Sequence, residues 1–419
     1  VVESCSKEPL RVGMYSGSLN EPAVDPSLFA LDPTVTFLNH GSFGSCPVAV
    51  VEHQASLIRR MEAQPVHFLQ RELEPELDKA RQAMASFVGA DSEDLVFVEN
   101  ATSGVNAVLR SLELKPGDEL IITDHQYNAC RNAAHYVADR SGARVVLVKI
   151  PFPLNSADDV TAAIMESVTG RTRLVFIDHI TSATALIFPI QEIVKQLADR
   201  GVDTLVDGAH APGMVPLDLN RLGAAYYTGN CHKWLCAPKA AGFLYVRKDK
   251  QSQVRPLTIS HGANSPRTDR SRFQLEFAWM GTRDPSAALT VPFTINYLAE
   301  LVPGGWDQIM SHNRELALAV RRMFCNSFNW PTPSPDSMIG SIATMILPES
   351  KEPEPIQSSK YLEHWQYELI KRTGIEVPII NWPKHPKRMV RISAHIYNYM
   401  AQYELLAEGI KELGDDQVP

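Results

Sequence analysis

The sequence predicts an α/β fold in which a mostly parallel sheet carries helices on both faces, followed by a small α+β domain. The first observation is a regular alternation of short apolar runs, typical of buried strands, with segments of helical spacing. The second is a change of character near residue 291, beyond which helical segments are joined by proline-rich links. These features divide the chain into an N-terminal arm, a large domain and a small domain, over 1–34, 35–290 and 291–419.

The individual elements follow from the same patterns. A short strand near Thr36 leads into a glycine-punctuated turn, and Pro47 then suits the first turn of a helix. Apolar side chains three and four apart predict helices, at 48–64, 69–88, 105–112, 128–141, 157–168 and 190–200. Short apolar runs predict strands, at 95–98, 119–123, 144–150, 173–178, 204–207 and 242–246. Residues 251–285 form a loop-rich stretch, and the small domain is predicted to hold helices at 307–324, 359–372 and 403–413 with strands at 342–347, 376–380 and 389–393.

Composition excludes several classes of function. Lys and Arg number 40 against 48 Asp and Glu, and the net charge of −8 does not favour nucleic acid or an anionic membrane as a partner. No apolar run approaches the ~18 residues of a membrane span, and the N-terminus has no signal-peptide core. The six cysteines lack the spacing of a zinc site or a disulfide framework. We therefore expect no metal, free thiols and a reducing compartment, the cytoplasm.

An acid and a lysine carry the chemistry that the sequence predicts. Asp207 ends a short apolar run, as a buried strand would deliver an acid to the carboxyl edge of a sheet. Lys233 follows between His232 and Trp234, where partial desolvation would lower its pKa enough for Schiff-base formation. Taken singly, the acid suits a helix N-cap and the lysine a surface position. Together they suggest pyridoxal phosphate, with Asp207 paired to the pyridinium nitrogen and Lys233 bound to the cofactor.

The segments Asp207-Gly-Ala-His210 and Gly229-Asn-Cys-His-Lys-Trp234 resemble the class V aminotransferase family of fold type I enzymes, which use pyridoxal phosphate. They are most similar to its isopenicillin N epimerase-like and cysteine desulfhydrase-like branch. The resemblance spans roughly residues 35 to 400. It implies that His210 points to the ring oxygen O3′ and that the imidazole of His125 stacks on the pyridine ring.

The phosphate of the cofactor has its own candidate partners. The turn before the helix at 105–112 offers free N–H groups, hydroxyls and the positive end of a helix dipole, although such a turn is also a routine N-cap. By resemblance this turn cradles the phosphate, and Thr228 and His232 flank Lys233 closely enough to reach it. A Gly-Thr pair in relatives comes from the neighbouring subunit, so Thr282 implies a homodimer with shared sites. The turn residues assigned to the phosphate are Ala101, Thr102 and Ser103.

Substrate contacts are assigned in the same way. Asn39 and His40 lie in a segment that the family places at the active site, and Tyr127 follows His125 into the cleft. Arg391 resembles the family's carboxylate clamp, because a planar guanidinium binds a carboxylate through two hydrogen bonds. The turn after residue 178 places Thr181 and Ser182 beside the phenolic oxygen of the cofactor and the substrate.

Several reactions are consistent with these residues. Freed Lys233 would take the Cα proton of an amino-acid substrate. Cysteine desulfurases need a mobile cysteine well after the lysine, and Cys236 is too near whereas Cys325 lies in a helical pattern. Persulfide chemistry is therefore not expected. Relatives of this branch include both lyases and epimerases, and we expect a C–S β-lyase, resembling cysteine desulfhydrase, on cysteine or a cysteine conjugate, because sulfur-cleaving members occur without any antibiotic pathway. The alternatives are an amino-acid epimerase of the isopenicillin N type, other pyridoxal-phosphate chemistry of secondary metabolism, and a non-catalytic scaffold.

Overall fold

A computed structural model describes residues 17–354 and 363–415. The start of the predicted arm, residues 1–16, and the first residues of the helix predicted at 359–372 lie outside the described residues. The strands are β1 Thr36–Phe37, β2 Leu95–Val98, β3 Glu119–Thr123, β4 Arg144–Val148, β5 Thr172–Asp178, β6 Asp203–Gly208, β7 Tyr226–Asn230, β8 Gly242–Val246, β9 Ile342–Leu347, β10 Ile375–Glu376, β11 Ile379–Asn381 and β12 Arg388–Ser393.

Helices follow or precede most of these strands. They are α1 His40–Phe43, α2 Val48–Ala63, α3 Pro65–His67, α4 Leu73–Val88, α5 Ala101–Ser111, α6 Asn128–Ser141, α7 Ala157–Glu166, α8 Ile190–Asp199, α9 Leu219–Leu222, α10 Arg272–Ala278, α11 Ser286–Leu289, α12 Val291–Leu301, α13 Gly305–Phe328, α14 His364–Thr373 and α15 Met400–Asp415. Among the described residues, no helix is both long enough and apolar enough to cross a bilayer.

The central sheet has seven strands in the order β2-β8-β7-β6-β5-β3-β4. All neighbouring pairs are parallel except the two that β8 makes, with β2 and with β7. Because the parallel strands run in one direction, their carboxyl ends meet at one edge of the sheet. The predicted α/β fold is confirmed, and this edge is where such folds bind ligands.

Each face of the sheet is covered by a separate apolar layer. Within β3, Ile121 packs into the layer that contains α4, α7 and α8, whereas Leu120 and Ile122 pack into the layer that contains α5 and α6. This alternation is what the two-residue period of a strand requires when both faces are buried. The sheet is therefore enclosed, and its carboxyl edge is a fixed platform.

The C-terminal residues form a small antiparallel sheet in the order β11-β12-β9, packed against α13 and α15 in a third apolar cluster. Strand β1, which the sequence assigns to the large domain, pairs in parallel with β10, with Thr36 opposite Ile375. The segment leading to α1 is thereby attached to the small domain.

The structure differs from the sequence prediction at several elements. Strand β7 was not predicted because Gly229 and Asn230 are poor strand formers, although all its residues are buried. Helix α12 and the short helices α1, α3, α9 and α11 were not predicted either. Helix α10 lies within the stretch predicted as loop. Helix α5 begins at Ala101, a turn earlier than expected, because the side chain of Asn100 caps it. The predicted strand at 376–380 is split into β10 and β11 at Pro378, which has no N–H to donate.

Candidate active site

Lys233 lies in the turn after β7, and its Nζ is 3.1 Å from Nε2 of His210. The indole Nε1–H of Trp234 donates to Nδ1 of His210 over 3.3 Å. An indole N–H is a donor only, so a neutral His210 carries its proton on Nε2 and directs it at the lysine nitrogen. That nitrogen accepts a proton only as a neutral amine. Burial, and then the charge of Arg391, lower the pKa of Lys233 from 10.5 to about 7, which makes the neutral amine accessible.

Asp207 is held at the end of β6 by two donors. Its Oδ1 accepts the backbone N–H of Ala209 over 2.9 Å, and the thiol of Cys130 donates to Oδ2 over 3.4 Å. The carboxyl is almost fully buried, and burial raises its pKa above the ordinary value. A buried acid in this position is suited to pair with a protonated ring nitrogen, which would stabilise its anionic form.

The N-terminus of α5 points into the same region. Asn100 caps it by accepting the N–H of Ser103 over 2.9 Å, and Asn230 at the end of β7 accepts the N–H of Ala101 over 2.8 Å. The predicted backbone donor Ala101 is therefore occupied. The N–H of Thr102 has no hydrogen-bond acceptor among the described residues. The N–H of Thr102 and the hydroxyl of Ser103 thus remain to meet a phosphate at the positive end of the helix dipole.

Gly104 sets how closely α5 approaches the sheet. A Cβ added there would lie 2.2 Å from the hydroxyl oxygen of Thr228. That hydroxyl donates to the carbonyl of Phe243 over 2.8 Å, and Thr228 is fully buried. The structure therefore gives Thr228 a packing role and does not bring it to the phosphate position. His232 does face the cavity, with its Nδ1 held 3.3 Å from the carbonyl of Ala241.

Arg391 reaches the edge of the sheet from β12. Its guanidinium donates to the carbonyl and hydroxyl of Ser182 over 2.6 and 3.3 Å, and to the hydroxyl of Ser42 over 2.9 Å. Burial lowers its pKa to about 10, so it is still charged at neutral pH. Among the described residues no carboxylate lies within ion-pairing distance of it, and its Nε has no partner. A buried cation without an anion is suited to receive a substrate carboxylate.

Lys233, Asp207 and the N-terminus of α5 line a cavity of about 490 Å³ at the carboxyl edge of the sheet. Arg391 does not itself line it but is hydrogen-bonded to two lining residues, Ser42 and Ser182. This volume lies within the range of small-molecule sites, ~300–1,000 Å³. The residues that line it are Ser42, Phe43, Asn100, Ala101, Thr102, Ser103, Tyr127, Asp178, Ile180, Ser182, Asp207, Ala209, His210, Asn230, His232 and Lys233.

Four residues assigned to the cofactor lie outside this lining: Thr228, described above, Thr282, described below, His125 and Thr181. His125 is buried, with Nδ1 2.7 Å from the hydroxyl of Thr184, Nε2 3.3 Å from the carbonyl of Ile150 and its ring edge-on to Trp382. This placement does not support its predicted stacking on the cofactor ring. The hydroxyl of Thr181 is likewise bonded within its own turn, to Thr184 at 2.7 Å, so a local hydrogen bond occupies the predicted donor.

Two predicted substrate residues serve the architecture of the site. Asn39 donates to Glu376 over 3.1 Å and lies outside the cavity lining. His40 is fully buried, with Nε2 3.0 Å from the carbonyl of Lys233 and Nδ1 2.8 Å from the hydroxyl of Tyr397. The carbonyl accepts, so His40 holds the lysine backbone in place rather than contacting substrate.

His40 also belongs to a buried cluster with Cys236 and His395, whose possible ligand atoms lie within 4.8 Å of one another. The two imidazoles are stacked with centroids 4.2 Å apart, and the thiol lies 3.7 and 3.4 Å from their Nε2 atoms. Stacked rings aim their lone pairs side by side rather than at a common point, and His40 already donates to a carbonyl. Ring packing and hydrogen bonding account for this cluster.

Tyr127 and Thr282 have contrasting positions. Tyr127 lies at the cavity, and burial, Cys130 and Asp207 raise the pKa of its phenol, which is therefore protonated at neutral pH. Thr282 is exposed and does not line the cavity of its own chain. Its neighbour Arg283 pairs with Glu99 at 3.0 Å.

Sequence reasoning missed several lining residues. Asp178 ends β5 beside Asp207, and an acid that closes a buried strand is a signal that could have identified it. Asn230 was passed over because its strand was not predicted. Ser42 and Phe43 come from α1, whose contact with the cavity depends on the pairing of β1 with the small domain.

The residues that line the cavity fit pyridoxal phosphate. The amine of Lys233 and the buried carboxyl of Asp207 are at one edge with the N-terminus of α5, and all three line one cavity. Comparison with known proteins identifies the family of the chain. The family model described as "Aminotransferase class-V" matches residues 39–406.

Individual relatives cover nearly the whole chain. An isopenicillin N epimerase of Amycolatopsis lactamdurans is 36% identical over 92% of this chain and 96% of its own length. An L-cysteine desulfhydrase of Arabidopsis thaliana is 31% identical over 96% of this chain and 93% of its own length. Among solved structures, a cysteine desulfurase of Thermococcus onnurineus NA1 superposes with a TM-score of 0.74 at 19% identity, over 91% and 95%. The cystine C–S lyase C-DES, in complex with cysteine persulfide, superposes with a TM-score of 0.74 at 20% identity, over 90% of this chain and 97% of its own. At this identity the two structures establish the fold.

Proposed function

Because the chain belongs to the class V aminotransferase family, we propose that it is a pyridoxal-phosphate-dependent C–S β-lyase acting on cysteine or a cysteine conjugate. The observation that carries the proposal is the distribution of proton carriers around the cavity. The amine of Lys233, with its pKa lowered to about 7, is a base, whereas the phenol of Tyr127 stays protonated. One base and one acid from separate elements suit an elimination, in which a proton leaves Cα and sulfur departs with a proton.

The cofactor supplies an electron sink for the charge that develops at Cα. Lys233 would hold it, Asp207 would pair with its ring nitrogen, and Thr102 and Ser103 would meet its phosphate. His210 directs its Nε2 proton toward the lysine nitrogen, and burial holds the pKa of His210 well below its usual range. A neutral imidazole therefore stabilises the neutral amine without adding charge beside it.

The substrate is oriented by Arg391. Its guanidinium is anchored by Ser42 and Ser182, and within the described part of the chain no carboxylate lies close enough to neutralise it. The α-carboxylate of an amino acid would supply that negative charge and fix the Cα–H bond relative to Lys233. Tyr127 is then placed to give a proton to a departing sulfur atom, because it enters the cavity from the start of α6.

Epimerisation is the second candidate, and the 36% identity to the isopenicillin N epimerase favours it. An epimerase must remove a proton on one face of Cα and return one on the other, so it needs two groups that exchange protons near neutral pH. The raised pKa of Tyr127 keeps its phenol protonated at neutral pH, so no phenolate is available as the second acceptor. Elimination needs no second acceptor, and for that reason we place the lyase first.

The test is to incubate the protein, loaded with pyridoxal phosphate, with L-cysteine and with an S-conjugate of cysteine in deuterated water. Pyruvate together with sulfide or thiol is the expected result. Deuterium at Cα with inversion and no pyruvate would establish the epimerase instead. Lys233→Ala is the control, because both reactions need its amine. Turnover that survives this variant would exclude either mechanism as described.

We also propose that the protein is a homodimer with shared sites and that it works in the cytoplasm. Phe43 lines the cavity yet is 72% exposed, and Thr282 is exposed as well, so each has surface available to a second subunit. The described cysteines are free thiols, which suits a reducing compartment. Sedimentation of the protein loaded with cofactor tests the dimer. The cofactor content of a Thr282→Arg variant tests the shared site, since that variant would lose cofactor if Thr282 reached the neighbouring subunit.

A further inference from the structure

Two aspartates end neighbouring strands of the central sheet. Strands β5 and β6 are parallel, and Asp178 lies directly opposite Asp207 as their last register pair. Each side chain belongs to a residue only 3% exposed, and both line the cavity. Among the described residues no Lys or Arg lies within ion-pairing distance of either carboxyl. Two buried like charges at neighbouring positions repel strongly, so such pairs hold one proton between them.

The hydrogen bonds show which carboxyl holds that proton. Asp207 receives two donors, the N–H of Ala209 and the thiol of Cys130. Asp178 receives the amide Nε2–H of Gln126 on Oδ1 at 2.9 Å and also interacts with the backbone N–H of Tyr127, but its Oδ2 has no hydrogen-bond partner. An anion requires donors, whereas a protonated carboxyl brings its own. The oxygen without a donor is therefore the natural place for the proton.

Gln126 supports the same assignment. Its Nε2 donates to Asp178, and its buried Oε1 has no hydrogen-bond partner. A proton on Asp178 would provide a donor in the neighbourhood of this oxygen, and without one a buried amide oxygen remains unsatisfied. Burial and the charge of Asp207 raise the pKa of Asp178 well above its usual range, against the opposing charge of Lys233.

We propose that Asp178 is a positioning residue that stays protonated at neutral pH, so that Asp207 is the single anion facing the cofactor ring. The neutral acid fills the space beside Asp207 without adding charge. An ionised carboxylate there would compete for the ring proton and, through its attraction for ammonium, hold Lys233 in its unreactive form. The groups that face the pair are Gln126, Cys130, Lys233 and Tyr127, and the buried phenol of Tyr227 also interacts with the charge of Asp207.

Asp178 is proposed to be protonated in the protein without cofactor, so its protonation can be tested independently of the reaction. Infrared difference spectra of the apoprotein at pH 7 should show the carbonyl stretch of a protonated carboxyl that is lost in Asp178→Asn. The matched control is Asp124→Asn, at the end of the neighbouring strand β3, where the carboxyl accepts the N–H of Ile150. We expect the band to remain in this control and in Asp207→Asn.

Either of two results would overturn the assignment. Loss of the band in Asp207→Asn but not in Asp178→Asn would place the proton on Asp207. Absence of any such band from the wild-type protein between pH 5 and pH 7 would mean that neither carboxyl is protonated, and this measurement does not depend on a variant folding.

Cofactor affinity gives a second readout. The amide of Asp178→Asn is neutral and similar in shape to the acid, so we expect the dissociation constant of pyridoxal phosphate at pH 7 to change by less than about 3-fold. In the wild type, affinity should decline at alkaline pH as Asp178 ionises, and this decline should vanish in Asp178→Asn. A tenfold loss at pH 7 in that variant, or an unchanged alkaline decline, would contradict the proposal.

Discussion

The strongest quantitative prediction concerns the cost of burying Lys233. Its pKa falls from 10.5 to about 7 in the folded protein. Above pH 10.5 the amine is neutral in both the folded and the unfolded chain and does not affect stability. As the pH falls toward 7 the unfolded chain binds the proton first, so the folded state loses ~1.4 kcal/mol per pH unit. Below about pH 7 both states are protonated, and the loss stays constant at no more than about 5 kcal/mol.

Replacing the amine should therefore stabilise the apoprotein. Lys233→Met keeps an unbranched chain and removes the titration. One side of Lys233 faces the cavity, where water partly solvates the amine, so we expect less than the full penalty. The free energy of unfolding of the variant relative to the wild type should rise by about 2 to 4 kcal/mol between pH 10 and pH 7. Urea denaturation of both apoproteins, followed by tryptophan fluorescence at the two pH values, measures this difference.

A surface lysine provides the control. The side chain of Lys79 is 69% exposed, so Lys79→Met should leave the pH dependence of stability unchanged. Wild type and Lys233→Met with the same pH dependence would refute the reasoning, because the lysine would then titrate alike in the folded and unfolded chains. If the free energy of unfolding of Lys233→Met relative to wild type were lower at pH 7 than at pH 10, the predicted effect would have the wrong sign.

Three further predictions follow from individual contacts. Arg391→Lys removes the planar fork that binds a carboxylate, so KM for the amino acid should rise about 10- to 100-fold in steady-state assays while cofactor affinity is retained. Trp234→Phe removes the indole donor that fixes the tautomer of His210 beside Lys233. The pKa of Lys233 should then rise, so the acidic limb of the pH–rate profile should move to higher pH. An acidic limb at the same pH as in wild type would exclude this role. Gly44 has φ +71° and a Cβ there would lie 1.9 Å from the carbonyl of His232, so Gly44→Ala should lower the free energy of unfolding by about 2 kcal/mol or more, detectable by urea denaturation.

The sequence was sufficient for elements whose signal is local. Strands β2, β3 and β8 lie where apolar runs predicted them, because a strand buried on both faces must be apolar along its length. Asp207 and Lys233 were identified for a similar reason. An acid that ends an apolar run and a lysine between aromatic residues are unusual in themselves, and the structure brings both to one cavity.

Other assignments depended on contacts that sequence does not encode locally. His125 and Tyr127 are two residues apart after the same strand, yet the chain turns so that the phenol lies at the cavity while the imidazole bonds Thr184. Similarly, His40 was predicted to contact substrate because its segment resembles one that the family places at the active site. Its actual partner is the carbonyl of Lys233, which is 193 residues away in the chain.

By itself the sequence determined the α/β class and the cofactor and predicted the two groups that would bind it, since these depend on residue type and short-range periodicity. The tertiary structure decided which polar residues around them are free to act. Every buried polar atom needs a partner, and partners such as Asn230 for Ala101, or Asp207 beside Asp178, come from distant strands. A residue's chemistry is thus set by its type, but its availability is set by the hydrogen bonds that the completed fold has already assigned to it.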